Sequence, residues 1–223
     1  MGDSKMMRGT LVLTAATLLS KILGFIYIIP FAALVGQSGI ALYGFGYTQY
    51  TVLLSLSTLG VPLAVSKFVS KYHSLGDYET GHRLFKSGIW VMLGTGLLSF
   101  LLLFLAAPVI APYILKNPID NSLEDLVFTI RMVSFALIVV PVMALIRGYF
   151  QGFQSMGPTS VSQVLEQLVR IIFILTMAFA IVQFGNGEIG TAVGFATFGA
   201  FVGALGGLAV LIYYWSKRKK IYS

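Results

Sequence analysis

Six apolar runs, each about 25 residues or longer, take up most of this 223-residue chain, at roughly 9–36, 43–69, 88–115, 126–150, 159–184 and 189–215. A helix of about 20 apolar residues crosses the roughly 30 Å hydrocarbon core of a bilayer, so each run is long enough to span it with some tilt. With 57% hydrophobic and only 10% charged residues, too little polar surface remains to coat a soluble domain of this size. The expectation is an all-α membrane protein, a single bundle of six transmembrane helices. The first run follows Lys5 and Arg8 in the manner of a secretory signal. It is far longer than a signal core of 7–15 residues and contains Lys21, so it reads as a retained helix.

Lysine and arginine placement sets an expected orientation. Lys5 and Arg8, then Lys67, Lys71, Arg83 and Lys86, then Arg147, then Lys217, Arg218, Lys219 and Lys220 mark alternate ends of the spans. The intervening connections hold Lys116 with Asp120, Glu124, Asp125 and Glu188. The positive-inside rule then puts both termini in the cytoplasm. On that frame Tyr43, Tyr47, Tyr50 and Tyr113 are expected as ring anchors at the outer interface, and Trp90, Tyr149, Tyr213, Tyr214 and Trp215 at the inner one.

Three charges, Lys21, Glu166 and Arg170, lie deep within the spans. Lys21 is about 18 Å along its helix at 1.5 Å per residue, too deep for its stem to reach either interface with ease. Glu166 and Arg170 are spaced i, i+4 and share one helix face. A charge at mid-membrane costs about 2.5–3.5 kcal/mol on insertion scales, so each of these needs a partner charge, a water-filled cavity or an anionic substrate. The pair fits a structural salt bridge; Lys21 fits helix-end carbonyls; all three fit a cavity of net positive charge that attracts phosphate. Arg131 and Arg147 fall closer to span ends and read as interfacial.

Pro30, Pro62 and Pro141 interrupt spans, and Gly60 beside Pro62 marks a break that serves as a hinge, an ion site or a packing kink. The last run carries Gly190, Gly194, Gly199, Gly203, Gly206 and Gly207, a small-residue stripe suited to close helix packing or a dimer face.

Several chemistries lack their residues. There is no cysteine, no phosphate-binding Gly-x-x-x-x-Gly-Lys-Ser/Thr loop, no His-Glu-x-x-His metal pair, and the two histidines, His73 and His82, are both in a polar connection. No catalytic residue, cofactor or metal is assigned, and no basic soluble fold is present to bind nucleic acid. Transport or membrane scaffolding remains.

Three stretches resemble a known family: Arg8 through Ser20, Lys21, Gly24 and Phe25; Gly60 and Pro62 through Tyr72 with Gly76 and Glu79; and Arg147-Gly-Tyr-Phe-Gln-Gly-Phe-Gln-Ser-Met-Gly-Pro158 through Glu166 and Arg170. They are similar to the polysaccharide-transport branch of the multidrug/oligosaccharidyl-lipid/polysaccharide (MOP) exporter superfamily, above all to its MurJ-type and stage V sporulation protein B-like lipid II flippases. The resemblance implies alternating-access export of a polyprenyl-pyrophosphate-linked saccharide, lipid II or another lipid-linked glycan unit, against the alternative of a non-transporting membrane interaction protein. It implies that Lys21 and Arg170 meet the pyrophosphate, supported by Ser20, Gly24 and Glu166, with Gly60 and Pro62 as hinge. In the family an arginine stands at the position of Lys21, and the Gram-negative branch has another where this chain has Tyr27, a difference that favours the sporulation-type branch. Family members have two lobes of six or more helices, so this chain is expected to be the amino-terminal lobe. Its partners are then membrane lipid, the lipid-linked oligosaccharide, and a carboxy-terminal lobe or a second copy.

Overall fold

The computed structural model describes the backbone of residues 2–115, 122–185 and 187–222, and within these the side chains from 7 to 217. Lys116 and Asp120, and the side chains of Lys5, Arg218, Lys219 and Lys220, lie outside the described residues. Eight helices follow in order: α1 Gly2–Ile26, α2 Ile28–Thr58, α3 Val61–Ser74, α4 Tyr78–Ile114, α5 Leu123–Ser134, α6 Ala136–Gly152, α7 Met156–Phe184 and α8 Ile189–Tyr222. They make six segments long and apolar enough to cross a membrane, and no strand occurs among the described residues.

The breaks have local causes. Pro30 has no N–H for the carbonyl of Ile26, and the chain turns at Tyr27 between α1 and α2. Gly36, at φ 69° and ψ −174°, adopts a backbone essentially closed to L side chains and bends α2 there. Residues 37–42, expected to link two helices, are therefore helical, and the turn is made by this one glycine. Leu59 and Gly60 are both left-handed, at φ 39° and 74°, and separate α2 from α3, whose first turn contains Pro62. The break expected at Gly60 and Pro62 is present.

Helix starts also differ from the apolar runs. α4 begins ten residues before its run, because Asp77 caps it by accepting from the Thr80 amide and Glu79 pairs with Arg83 one turn on. Arg83 and Lys86 are thus helical, and only residues 75–77 connect α3 to α4. A reciprocal Ser122–Asp125 capping box starts α5.

Two apolar clusters form the core. One gathers Phe31, Leu42, Leu103, Ile130 and Ile174 around α2, α4, α5, α7 and α8; the other gathers Val65, Phe85, Met143, Tyr149 and Leu211 nearer the ends of α3, α4, α6 and α8. α8 packs closely along α7, and its glycines make this possible. A β-carbon on Gly203 would lie 2.8 Å from both the Glu166 carbonyl oxygen and the Arg170 β-carbon. The stripe is an internal packing face. α1 leans on α7 at the edge of the bundle, leaving Leu11, Leu18, Ile22 and Phe25 exposed.

The aromatic expectation needs correction. Tyr50 and Tyr149 are buried, at 3% and 1% exposure, and are not interfacial anchors. Tyr43, Tyr47 and Tyr50 recur at i, i+4, i+7 on the inward face of α2. Their rings form a ladder with centroids 5.5 and 5.2 Å apart, and Tyr27 donates to the Tyr43 hydroxyl at 3.2 Å. Alternating charge bears on which side of the membrane a span end lies; it says nothing of which face of a helix an aromatic occupies.

Candidate functional site

The connection from α6 to α7 is a three-residue turn. The Gln154 amide donates to the Gln151 carbonyl at 2.8 Å and the Ser155 amide to that of Phe150 at 3.0 Å. So tight a hairpin brings residues at matching distances from its two ends to the same depth. Arg147 on α6 consequently faces Ser162 and Glu166 on α7. Its Nη2 donates to Ser162 Oγ at 2.7 Å and to Glu166 Oε2 at 2.8 Å, and Ser162 in turn donates to the Gly207 carbonyl at 2.9 Å. Arg147, expected at the interface, is a partly buried network residue instead, with its side chain only 14% exposed.

The second oxygen of Glu166 is also taken. Arg170 Nη2 donates to Oε1 at 2.7 Å, and Arg170 Nη1 donates to the Tyr47 hydroxyl at 3.0 Å. One carboxylate thus holds two guanidiniums and, with Tyr47 and Gly207, ties α2, α6, α7 and α8 together. Such charge-assisted bonds are the strong class, and a paired carboxylate is what makes two cations tolerable at this depth.

Beside this network lies a cleft of about 360 Å³ between α1 and α7, lined by Ser20, Lys21, Gly24, Arg147, Gln163 and Glu166 together with Thr17, Phe25 and Gln167. Thr17 donates to Gln163 Oε1 at 3.2 Å across the two helices. Gly24 admits Gln167, whose Nε2 would be 3.2 Å from a β-carbon there. Lys21 is exposed on this face and makes no ion pair among the described residues. Ser20 Oγ is buried with no hydrogen-bond partner.

The structure therefore gathers Ser20, Lys21, Gly24 and Glu166 at one cleft. It places Arg170 behind them, outside the lining, with its Nε buried and unpartnered. Gly60 and Pro62 lie elsewhere, at the α2–α3 break, where the Pro62 carbonyl abuts Gly148 of α6. Sequence reasoning missed Arg147, Thr17, Tyr47 and the two glutamines. For Arg147 the signal was available: the apolar runs ending near residue 150 and starting near residue 159 are joined by a short connection, and counting three residues in from each end pairs 147 with 162. Among the described residues no group of three metal-ligating side chains occurs.

This arrangement, a bundle of six spans with a cationic cleft at one edge, has the fold of one lobe of a membrane transporter. It superposes on a multidrug resistance transporter of the MOP superfamily captured in an outward-facing conformation, with a TM-score of 0.70 at 17% identity over 92% of this chain and 46% of that one. Residues 6–223 match the polysaccharide biosynthesis protein family, and the chain belongs to that family. It is 55% identical over 219 residues to the lipid II flippase MurJ of Bacillus subtilis, covering 97% of this chain and 40% of that protein. It is 28% identical over 217 residues to stage V sporulation protein B of the same organism, covering 96% of this chain and 39% of that protein. The chain spans about two fifths of the length of these relatives, and it is a multi-pass membrane protein.

Proposed function

We propose that this chain is the amino-terminal lobe of a non-catalytic carrier that moves a polyprenyl-pyrophosphate-linked saccharide, lipid II first among them, from the cytoplasmic to the outer leaflet. Both termini lie on the cytoplasmic side in this reading, where alternating lysines and arginines put them. A carboxy-terminal lobe completes the cavity on the open face of α1 and α7.

One observation carries the proposal. Both oxygens of Glu166 are occupied by Arg147 and Arg170, so the cleft offers Lys21 no counter-ion from within the described residues. Three cations against one carboxylate leave a site that favours an anion. A phosphate oxygen about 4 Å from the ammonium gains on the order of 4 kcal/mol of Coulomb attraction at an effective dielectric of 20. The unpartnered Ser20 hydroxyl is a ready donor beside it, and Gly24 keeps the wall low. Arg170 acts at longer range, held by Glu166 and Tyr47, while the Gly60 and Pro62 break lets α3 swing against α2 as access alternates.

The test is complementation. A strain depleted of its lipid II flippase receives this chain fused to a carboxy-terminal lobe from the same family, as wild type or as Lys21→Ala. Rescue by the wild type with loss of rescue at unchanged membrane abundance in the variant is expected; full rescue by Lys21→Ala refutes the role of Lys21. Direct binding of labelled lipid II, against another pyrophosphate-linked glycan, separates the substrates.

A further inference from the structure

We propose that a second pocket, between α4, α6 and α8, binds an anionic phospholipid of the surrounding bilayer, with an acyl chain in its apolar interior and the phosphodiester against Lys86 and His82. The pocket has a volume of about 450 Å³, within the range of small-molecule sites, and shares no residue with the Lys21 cleft. Phe85 and Trp215 form a wall, their rings stacked at 5.1 Å, and Ile146 and Leu211 complete the apolar interior. Phe85 is backed by Tyr149 at 4.2 Å, so the wall is rigid.

The polar groups at its mouth lack partners. His82 Nδ1 is buried with no hydrogen bond, and Lys86, one turn on, makes no ion pair among the described residues. The two acids at this end of α4 are committed elsewhere: Asp77 caps the helix and Glu79 is paired with Arg83. A cationic mouth over an apolar slot between spanning helices matches a lipid headgroup and its chain. A free phosphate ion would use the mouth and leave the slot empty. Ile212 and Trp90, 58% and 74% exposed, leave this side of the bundle apolar and uncovered, as a surface against acyl chains requires.

The chain has two tryptophans, Trp215 in the pocket wall and Trp90 outside it, so fluorescence reports the site directly. The chain is reconstituted into phosphatidylcholine vesicles containing a small fraction of brominated phosphatidylglycerol or, separately, brominated phosphatidylcholine. In a Trp90→Phe background, Trp215 is expected to be quenched several-fold more by the anionic lipid than by the zwitterionic one. In a Trp215→Phe background, Trp90 is expected to be quenched equally by both. Lys86→Gln with His82→Gln should abolish the preference, and added inorganic phosphate should leave it intact. Equal quenching of Trp215 by the two lipids in the otherwise unaltered chain overturns the proposal. So does a preference that survives the double substitution, and relief of quenching by phosphate alone would assign the mouth to a soluble anion.

Discussion

Glu166→Gln removes the one charge that two guanidiniums share, and its cost follows from the geometry. Glu166, Arg147 and Arg170 have side chains only 13–14% exposed, so the ion pairs are held largely out of water. Removing one partner of a buried pair costs about 3–5 kcal/mol, because the remaining charge is left uncompensated. Here the remaining bonds moderate the loss: Arg147 keeps Ser162, Arg170 keeps Tyr47, and glutamine still offers one acceptor oxygen. The expectation is therefore about 3 kcal/mol, which for a domain of this size lowers the melting temperature by roughly 6–12 °C. Thermal unfolding of the detergent-purified chain, followed by loss of its monodisperse peak, measures this. Arg147→Gln alone and combined with Glu166→Gln completes a cycle, with coupling on the order of 1–3 kcal/mol expected between residues in direct contact. A Glu166→Gln shift under about 2 °C, or additive losses in the cycle, would refute the idea that one carboxylate compensates both cations.

Lys21→Gln should leave the melting temperature unchanged within error, since Lys21 makes no ion pair among the described residues, while abolishing rescue in the complementation assay. Gly203→Ala forces a methyl group against the α7 backbone at Glu166 and is expected to destabilise by about 1–3 kcal/mol, read in the same melting assay. Asp77→Ala removes the cap of α4 and should speed amide exchange in its first turn. The hydrogen bonds from Thr80 hold the Asp77 carboxyl below its ordinary range. Its contribution is full above the unfolded-state value and fades as pH falls through the lowered one, so protection of the Thr80 amide, taken against the unstructured exchange rate at each pH, should fall on acidification in the wild type and stay constant in Asp77→Ala.

How far the sequence reveals such a site depends on whether a contact is made along one helix or between helices. The six spans are legible because hydrophobic length is a property of each segment alone. The Glu166–Arg170 pair is legible too, since four residues on one helix meet whatever surrounds them. Lys21 announced a need for an anion or water by its depth, yet that no described residue pairs with it only becomes clear once Arg147 is seen to claim the other oxygen of Glu166. Arg147 was misjudged because distance from a helix end was taken as distance from the membrane surface. The tight α6–α7 turn breaks that equivalence by covering the end of α6 with the start of α7. Tyr43, Tyr47 and Tyr50 were misplaced for a related reason: a ring suited to an interface is equally suited to an interior that supplies its hydroxyl with a partner, and Arg170 supplies one to Tyr47. The same logic explains why the lysine survives unpaired. On the proposed reading, a bundle that saturates Glu166 with two arginines leaves Lys21 on that face to be balanced from outside the fold, so charge balance within α6 and α7 would set the affinity of α1 for an anion.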